Sequence, residues 1–221
     1  MRRIGFLLLL ILAASVSGWL AQPAAAQGKA KIPAGKNAPV ATRCEPGASA
    51  LLKVRLHPQE TDMWCWAASG QMVMSYLGHD VNQCTQANNR FGMSNCPCAQ
   101  CGPSQIANPP CVLGGWPEFD KYGFKFARTN NTPLTWDQIR RELSENPGCG
   151  KTPIAFSWHW AGGGGHMMVI VGYSTIGNRR FVHIFDPWTP CQGESRIVPY
   201  EDYVSGSDYT HWDDFYRIRP E

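Results

Sequence analysis

The sequence predicts an α+β fold in which a helical N-terminal half packs on a C-terminal antiparallel β-sheet and disulfides hold the loops together. Three observations indicate this class. Helical periodicity is strongest early in the chain, and short runs rich in β-branched and aromatic residues follow one another in the C-terminal part. Nine of the 221 residues are cysteine, a content typical of disulfide-bonded exported proteins. Segregation of helices from strands distinguishes α+β proteins from α/β proteins.

The composition fits one folded domain and excludes several functional classes. A chain of 221 residues is long enough for a single hydrophobic core. A hydrophobic fraction of 43% and nine tryptophans argue against disorder. A net charge of +3 without a run of basic residues argues against a nucleic-acid partner. We expect a monomer that binds no nucleic acid.

Residues 1–26 have the three parts of a secretory signal peptide. Arg2 and Arg3 precede an apolar core at 4–14, and an A-x-A cleavage site ends at Ala26. The alternative is an N-terminal membrane anchor, which the short apolar core disfavours because a spanning helix needs about 20 apolar residues. We therefore expect a secreted or periplasmic protein with no stable membrane insertion after cleavage.

A leader and one domain are predicted to follow the cleavage site. Residues 27–50 are rich in Ala, Gly, Pro and Lys and lack periodicity, which indicates a flexible leader or a short pro-segment. Residues 51–221 are predicted to form the functional domain.

Two helices are predicted in that domain. The first covers about residues 64–77, where Trp66 and Val73 share a face and Gly78 is a candidate C-cap. The second covers about residues 136–145, since Thr135 and Gln138 match a capping box and Pro147-Gly148 would end the helix.

The segment between the helices and the segment after them differ in character. Residues 82–117 contain five cysteines and several prolines and asparagines, so we predict a disulfide-stapled loop rather than regular structure. Five runs beyond residue 150 have the alternation and residue types of strands. They lie at 152–158, 166–173, 181–186, 196–200 and 214–219.

The odd cysteine count predicts one thiol outside the disulfides. In an oxidising compartment eight cysteines can form four bridges, which leaves one. Cys65 lies in the first turn of the first predicted helix, where backbone N–H groups and the helix dipole favour a thiolate. We predict that Cys65 is a nucleophile and belongs to no bridge. The alternative is a buried structural cysteine.

Partners for this thiol occur in two later strands and one earlier segment. His166 begins one predicted strand and Asp186 ends the next, so an antiparallel hairpin would make them neighbours, as base and orienter. His183 is the rival base, but strand alternation turns it away from Asp186. Gln59, six residues before Cys65, could donate to an oxyanion together with the Cys65 N–H.

These motifs resemble the papain-like cysteine proteases. The stretch from Gln59 through CWAAS is similar to their oxyanion and nucleophile segment, GHMMVIVGY to their histidine strand, and DPW to their orienter segment. The short chain and the aspartate orienter resemble the compact bacterial branch, with its staphopain-like, avirulence-effector and bacteriocin-leader peptidase domains. The resemblance implies a papain-like fold, a thioester intermediate and no cofactor. It also implies a cleft between helices and sheet, screened by Trp66 and Trp188 as substrate-contacting residues.

Three alternatives stay open at this point. The run Cys96-Pro-Cys98-x-x-Cys101 could hold zinc together with Cys84 or Cys111, although export favours disulfides, with Cys149 or Cys191 as a long-range partner of Cys44. The predicted triad could cleave peptidoglycan cross-links or transfer acyl groups instead of hydrolysing a protein or peptide. A non-catalytic, disulfide-stapled binding module is the third alternative.

Overall fold

The structure is a computed structural model that describes residues 42–96 and 109–221. The predicted signal peptide and residues 27–41 of the predicted leader lie outside the described residues. The described residues form four α-helices and seven strands. The helices are α1 (Cys65–Tyr76), α2 (Gln83–Phe91), α3 (Trp136–Leu143) and α4 (Tyr200–Val204). The strands are β1 (Ser49–Leu51), β2 (Phe124–Arg128), β3 (Ile154–Trp160), β4 (Gly165–Ile176), β5 (Arg179–Asp186), β6 (Glu194–Pro199) and β7 (Tyr209–Pro220).

The strands form one antiparallel sheet in the order β2-β7-β3-β4-β5-β6, and β1 pairs with β4. This arrangement confirms the predicted α+β class and all five predicted strands. Two strands were not predicted: β1 has three residues, too few for periodicity to register, and β2 lies between segments that contain turn residues. Both pair with strands distant in the chain.

Helix α1 is the central helix and packs on β4. Every residue from Trp66 to Met74 is buried, because the helix lies in the hydrophobic core with the sheet on one side and α2 on another. It ends before Gly78, whose φ of +90° breaks the helical geometry. The predicted helix is confirmed, and Cys65 is its first residue.

The prediction of an irregular loop at 82–117 is wrong for its first part. Helix α2 occupies Gln83–Phe91, and Asn82 caps it by accepting a hydrogen bond from the Thr85 N–H. Gly92 closes it with a φ of +64°. The capping residues are ordinary helix signals, but the segment is mostly polar and lacks the apolar periodicity by which helices were predicted.

The capping box of α3 is present as predicted. The Thr135 hydroxyl accepts from the Gln138 N–H, and the Gln138 side chain accepts from the Thr135 N–H. The helix ends at Leu143, two residues before the predicted end at 145, because Ser144 adopts an extended conformation.

Disulfides join distant parts of this fold. Cys44 pairs with Cys149 across 105 residues, as one of the two predicted pairings has it, and Cys96 pairs with Cys111. Closing the 105-residue loop between Cys44 and Cys149 stabilises the fold by about 4–5 kcal/mol in the chain-entropy account.

The predicted alternative of a zinc site loses two of its ligands. Because Cys96 and Cys111 are bonded to each other, neither sulfur is a thiolate that could bind zinc. The described residues contain no cluster of metal-ligating side chains.

Two more cysteines, Cys84 and Cys191, are also disulfide-bonded. Among the described residues Cys65 is the free cysteine. None of the described helices is long and apolar enough to cross a membrane.

Candidate active site

Cys65 lies where the central helix begins. Cys65 is half-buried, and its thiol is free. The preceding residue, Trp64, provides no side-chain cap for the helix within the described part of the chain. The N–H groups of the first turn are therefore not satisfied by a capping side chain, and they and the helix dipole favour negative charge at this position.

His166 and Asp186 are brought together by the pairing of β4 with β5. Val169 lies opposite Phe185 in this antiparallel register, so the beginning of β4 lies beside the end of β5. His166 Nε2 is 2.6 Å from Asp186 Oδ1. The two residues are 4% and 3% exposed, so water does not weaken their interaction appreciably.

The Asp186 carboxylate has two further donors. Its Oδ1 also accepts from the Trp188 N–H at 2.9 Å, and its Oδ2 accepts from Arg196 Nη1 at 2.9 Å. Burial alone would raise the pKa of Asp186, but the hydrogen bond and charge of His166, followed by the bonds from Trp188 and Arg196, lower it below its ordinary value. The carboxylate is therefore ionised at neutral pH.

His166 is held in its protonated form. Burial lowers the pKa of His166, but the hydrogen bonds to Asp186 and Cys65, together with the charges of both, outweigh burial and raise the pKa from 6.5 to about 9. Because Nε2 is engaged by Asp186, Nδ1 is the nitrogen left for Cys65. This Nδ1 is buried, and the hydrogen bond and charge of Cys65 act on the imidazole from that side.

Gln59 lies in the interior, next to the segment that follows Asp186. It is 1% exposed, and its Nε2 donates to the Asp62 carbonyl at 3.2 Å. Its backbone is tied to the segment after Asp186, since the Gln59 N–H donates to Pro187 and the Cys191 N–H donates to Gln59. An amide nitrogen carries two hydrogens, so one donor remains beyond the bond to Asp62.

The two tryptophans predicted at the cleft occupy different environments. Trp188 is 52% exposed, and its ring packs edge-on against the His166 imidazole, with 4.9 Å between ring centroids. Trp66 is 1% exposed, and its Nε1 donates to the Leu113 carbonyl. Trp66 is a core residue and is not among the residues that line the cleft.

A cleft of about 460 Å³ opens over Cys65 and His166. Four tryptophans contribute to its walls, and its charged residues are Arg90, Asp62 and the protonated His166. The lining residues are Asp62, Met63, Cys65, Arg90, Gly114, Gly115, Trp116, Ser157, Trp160, Gly164, Gly165, His166, Met167, Trp188 and Trp212. No local sequence signal marked Arg90, Trp116, Trp160 or Trp212 as cleft residues, because they come from four separate segments.

The glycine-rich turn at 162–165 shapes one edge of the cleft. Gly163 and Gly164 have φ values of +91° and +75°. Residues that carry a side chain rarely adopt such values. At Gly165 a Cβ atom would lie 2.8 Å from ring carbons of Trp212 and closer still to a backbone oxygen of Trp158. Glycine at position 165 therefore allows the backbone before His166 to pack closely against Trp158 and Trp212.

The other histidines lie outside this arrangement. His183 bonds through Nε2 to the Ser174 hydroxyl at 3.0 Å, so the prediction that it faces away from Asp186 is confirmed. His211 forms a second buried pair, with Nε2 2.9 Å from Asp214 Oδ2. That pair was not predicted, because His211 lacks a recognisable motif around it.

Comparisons with known proteins give a family and several structural neighbours. The profile of the Peptidase_C39 like family matches residues 51–214. A structure from work on the mite allergens Blo t 1 and Der p 1 is 12% identical, with 80% of this chain and 74% of that chain covered and a TM-score of 0.44. Digestive procathepsin L 3 of the Tenebrio molitor larval midgut is 11% identical, with 80% and 72% covered and a TM-score of 0.45. UfSP from C. elegans is 15% identical, with 81% and 36% covered and a TM-score of 0.41. No curated protein matches the sequence.

Proposed function

The chain belongs to the Peptidase_C39 like family, a family of cysteine peptidases, and we propose that it is an exported enzyme that hydrolyses peptide bonds with Cys65, His166 and Asp186. Cys65 is the nucleophile, His166 the general base and acid, and Asp186 the residue that orients His166. The substrate is a protein or peptide, and the reaction needs no cofactor.

One observation carries this proposal. A buried histidine–carboxylate pair, joined at 2.6 Å, lies beside a free thiol at a helix N-terminus, and the thiol and the imidazole both face the same cleft. Nucleophile, base and orienter in this order are the requirement for covalent catalysis by a thiol.

The charges support the expected chemistry. With the pKa of His166 raised to about 9, the imidazolium persists at neutral pH and can pair with a Cys65 thiolate. The thiolate attacks the scissile carbonyl carbon and forms a tetrahedral oxyanion. As the carbon–nitrogen bond breaks, His166 gives its Nδ1 proton to the leaving amine. The neutral imidazole then takes a proton from water as the water oxygen attacks the thioester carbon. The carbon–sulfur bond breaks, the acid product leaves, and the Cys65 thiolate and the His166 imidazolium are restored.

The oxyanion needs donors that are fixed before the reaction. In our proposal these are the Cys65 N–H and the second hydrogen of Gln59 Nε2. Burial of Gln59 and its backbone bonds to Pro187 and Cys191 hold the amide in place, and the hydrogen bond to Asp62 fixes its orientation. A rigid donor costs little reorganisation when the charge develops.

Export is the second part of the proposal. Disulfides such as Cys44–Cys149 and Cys96–Cys111 are typical of proteins that fold outside the reducing cytosol. Expression of the full chain with its N-terminal segment, followed by intact-mass measurement of exported protein, tests this point. A mass that matches a chain beginning at Gln27 supports the signal peptide, whereas a mass that includes residues 1–26 contradicts it.

The catalytic proposal is tested with Cys65→Ala and Cys65→Ser variants of the purified protein. We expect wild type to cleave casein or a fluorogenic peptide library and both variants to be inactive while melting at the wild-type temperature. Purified peptidoglycan is assayed in parallel. Cleavage of peptidoglycan alone, or full activity of the Cys65→Ala protein, contradicts the proposed peptidase.

A further inference from the structure

We propose that Arg196 is a positioning residue for this reaction, which anchors one oxygen of the Asp186 carboxylate and balances its charge so that the other oxygen stays on His166. The proposal rests on the proposed function of the Cys65–His166–Asp186 group. It adds a fourth side chain, from a strand that contributes nothing to the lining of the cleft.

The strand register places Arg196 beside Asp186. In the antiparallel pairing of β5 with β6, Arg196 lies opposite Ile184 and Glu194 lies opposite Asp186. Side chains two residues apart on a strand share a face, so Arg196 is the diagonal neighbour of Asp186 and its long side chain spans the separation. The Arg196 side chain is 35% exposed and Asp186 is 3% exposed, so the arginine reaches inward from the outer strand.

The two carboxylate oxygens have separate partners. Oδ1 receives the His166 bond and the Trp188 N–H, whereas Oδ2 receives Arg196 Nη1. A carboxylate held at Oδ2 cannot rotate about its Cβ–Cγ bond without losing that bond. Arg196 thereby keeps Oδ1 directed at the imidazole, which is the condition for a fixed ring orientation.

The surroundings of the guanidinium leave it little freedom. It lies over the ring of Trp158, 5.8 Å from the centroid, and Trp158 is the β3 residue opposite His166. On its outer side Arg196 Nε is 3.7 Å from Glu194, which is 62% exposed. This second contact faces solvent and is worth little, so it provides a matched control.

Charge balance explains why an arginine is needed here. A thiolate, an imidazolium and a carboxylate together carry one unit of negative charge, and burying an uncompensated charge is costly. The guanidinium makes the group of four neutral. The charged groups around Asp186 are His166 from β4, Arg196 from β6 and, beyond the imidazole, Cys65 from α1.

The experiment compares Arg196→Gln, Arg196→Lys and the control Glu194→Gln. For each we measure the pH dependence of kcat/KM and, independently of turnover, the pH dependence of Cys65 alkylation by iodoacetamide. Loss of a nearby positive charge raises the pKa of every acid in the site. We expect Arg196→Gln to move the midpoints of both profiles upward by about one pH unit and to lower kcat roughly tenfold, with KM nearly unchanged.

Arg196→Lys retains the charge, so its midpoints should stay close to wild type. Glu194→Gln should leave the midpoints and kcat unchanged. Unshifted midpoints in Arg196→Gln, or a loss of activity explained by a lower melting temperature alone, overturn the positioning role. An active Cys65→Ala protein refutes the proposed function instead, while the alkylation profile of wild type and Arg196→Gln still decides the role of Arg196.

Discussion

Replacement of Asp186 by asparagine removes the charge of the carboxylate and keeps its size. The asparagine oxygen can still accept from His166 and from the Trp188 N–H, which bond to Oδ1 at 2.6 and 2.9 Å. Its amide nitrogen would then face Arg196, which donates to Oδ2 at 2.9 Å, so two donors would meet. The substitution therefore removes an ion pair on each side of residue 186 and preserves the shape.

The size of the effect follows from the pKa of His166. Burial lowers this pKa, and the bonds and charges of Asp186 and Cys65 raise it overall from 6.5 to about 9. That rise corresponds to roughly 3 kcal/mol in favour of the imidazolium. Since Asp186 and Cys65 share the stabilisation, loss of the Asp186 charge should lower the pKa of His166 by about one unit. The imidazolium would still predominate at neutral pH, so the roughly tenfold fall in kcat that we expect there reflects a less well oriented imidazole.

The assay is kcat/KM on a peptide substrate, followed from neutral into alkaline pH. Activity needs the imidazolium, so the alkaline limb of wild type should lie near the pKa of His166 and the limb of Asp186→Asn about one unit lower. His183→Gln is the control, because that histidine bonds to Ser174 and not to Asp186. An alkaline limb in Asp186→Asn that matches or exceeds the wild-type limb would show that the carboxylate charge does not act on the imidazole.

Three further substitutions test the site and its support. Gln59→Ala should lower kcat about 100-fold with a small change in KM, if its amide donates to the oxyanion; an unchanged kcat removes Gln59 from the mechanism. Gly165→Ala should destabilise the fold by about 1–3 kcal/mol, because the added Cβ meets atoms at 2.8 Å or less. Gly162→Ala, where a Cβ meets nothing within 4 Å, is its control, and equal melting temperatures for the two variants contradict the steric argument. Replacing both Cys44 and Cys149 by serine should cost about 4 kcal/mol in thermal or denaturant unfolding, and a loss below about 1 kcal/mol would mean that the bridge constrains little.

The parts of the site that could be predicted are those encoded by neighbours in sequence. Helix α1 follows from periodicity, and the position of Cys65 in its first turn follows from where that periodicity begins. His166 and Asp186 flank a single hairpin, so pairing of consecutive strands was enough to make them neighbours. The same logic assigned His183 to the opposite face.

The parts that could not be predicted depend on long-range register. Arg196 reaches Asp186 because β6 pairs with β5 at one offset and not at another, and a shift of one residue would turn its side chain to the other face. The walls of the cleft come from segments that are far apart in the chain, such as those that contain Arg90 and Trp212. Helix α2 was missed for a different reason, since its buried face includes the polar residues Gln83 and Gln86 and therefore lacks a purely apolar stripe.

The described residues contain two buried histidine–aspartate pairs, and their surroundings distinguish the pair proposed for catalysis from a structural one. The pair of His211 with Asp214 is closed: Asp214 also accepts from the Tyr203 hydroxyl and the Leu134 N–H, and no thiol is among these partners.

The pair of His166 with Asp186 is open on one side. Its Nδ1 is buried, and Cys65, a free cysteine in the cleft, interacts with the imidazole there. A buried ion pair is a poor way to add stability, because desolvation offsets most of its attraction. We therefore attribute the retention of this pair, with its second nitrogen beside a thiol, to the proposed catalysis rather than to packing.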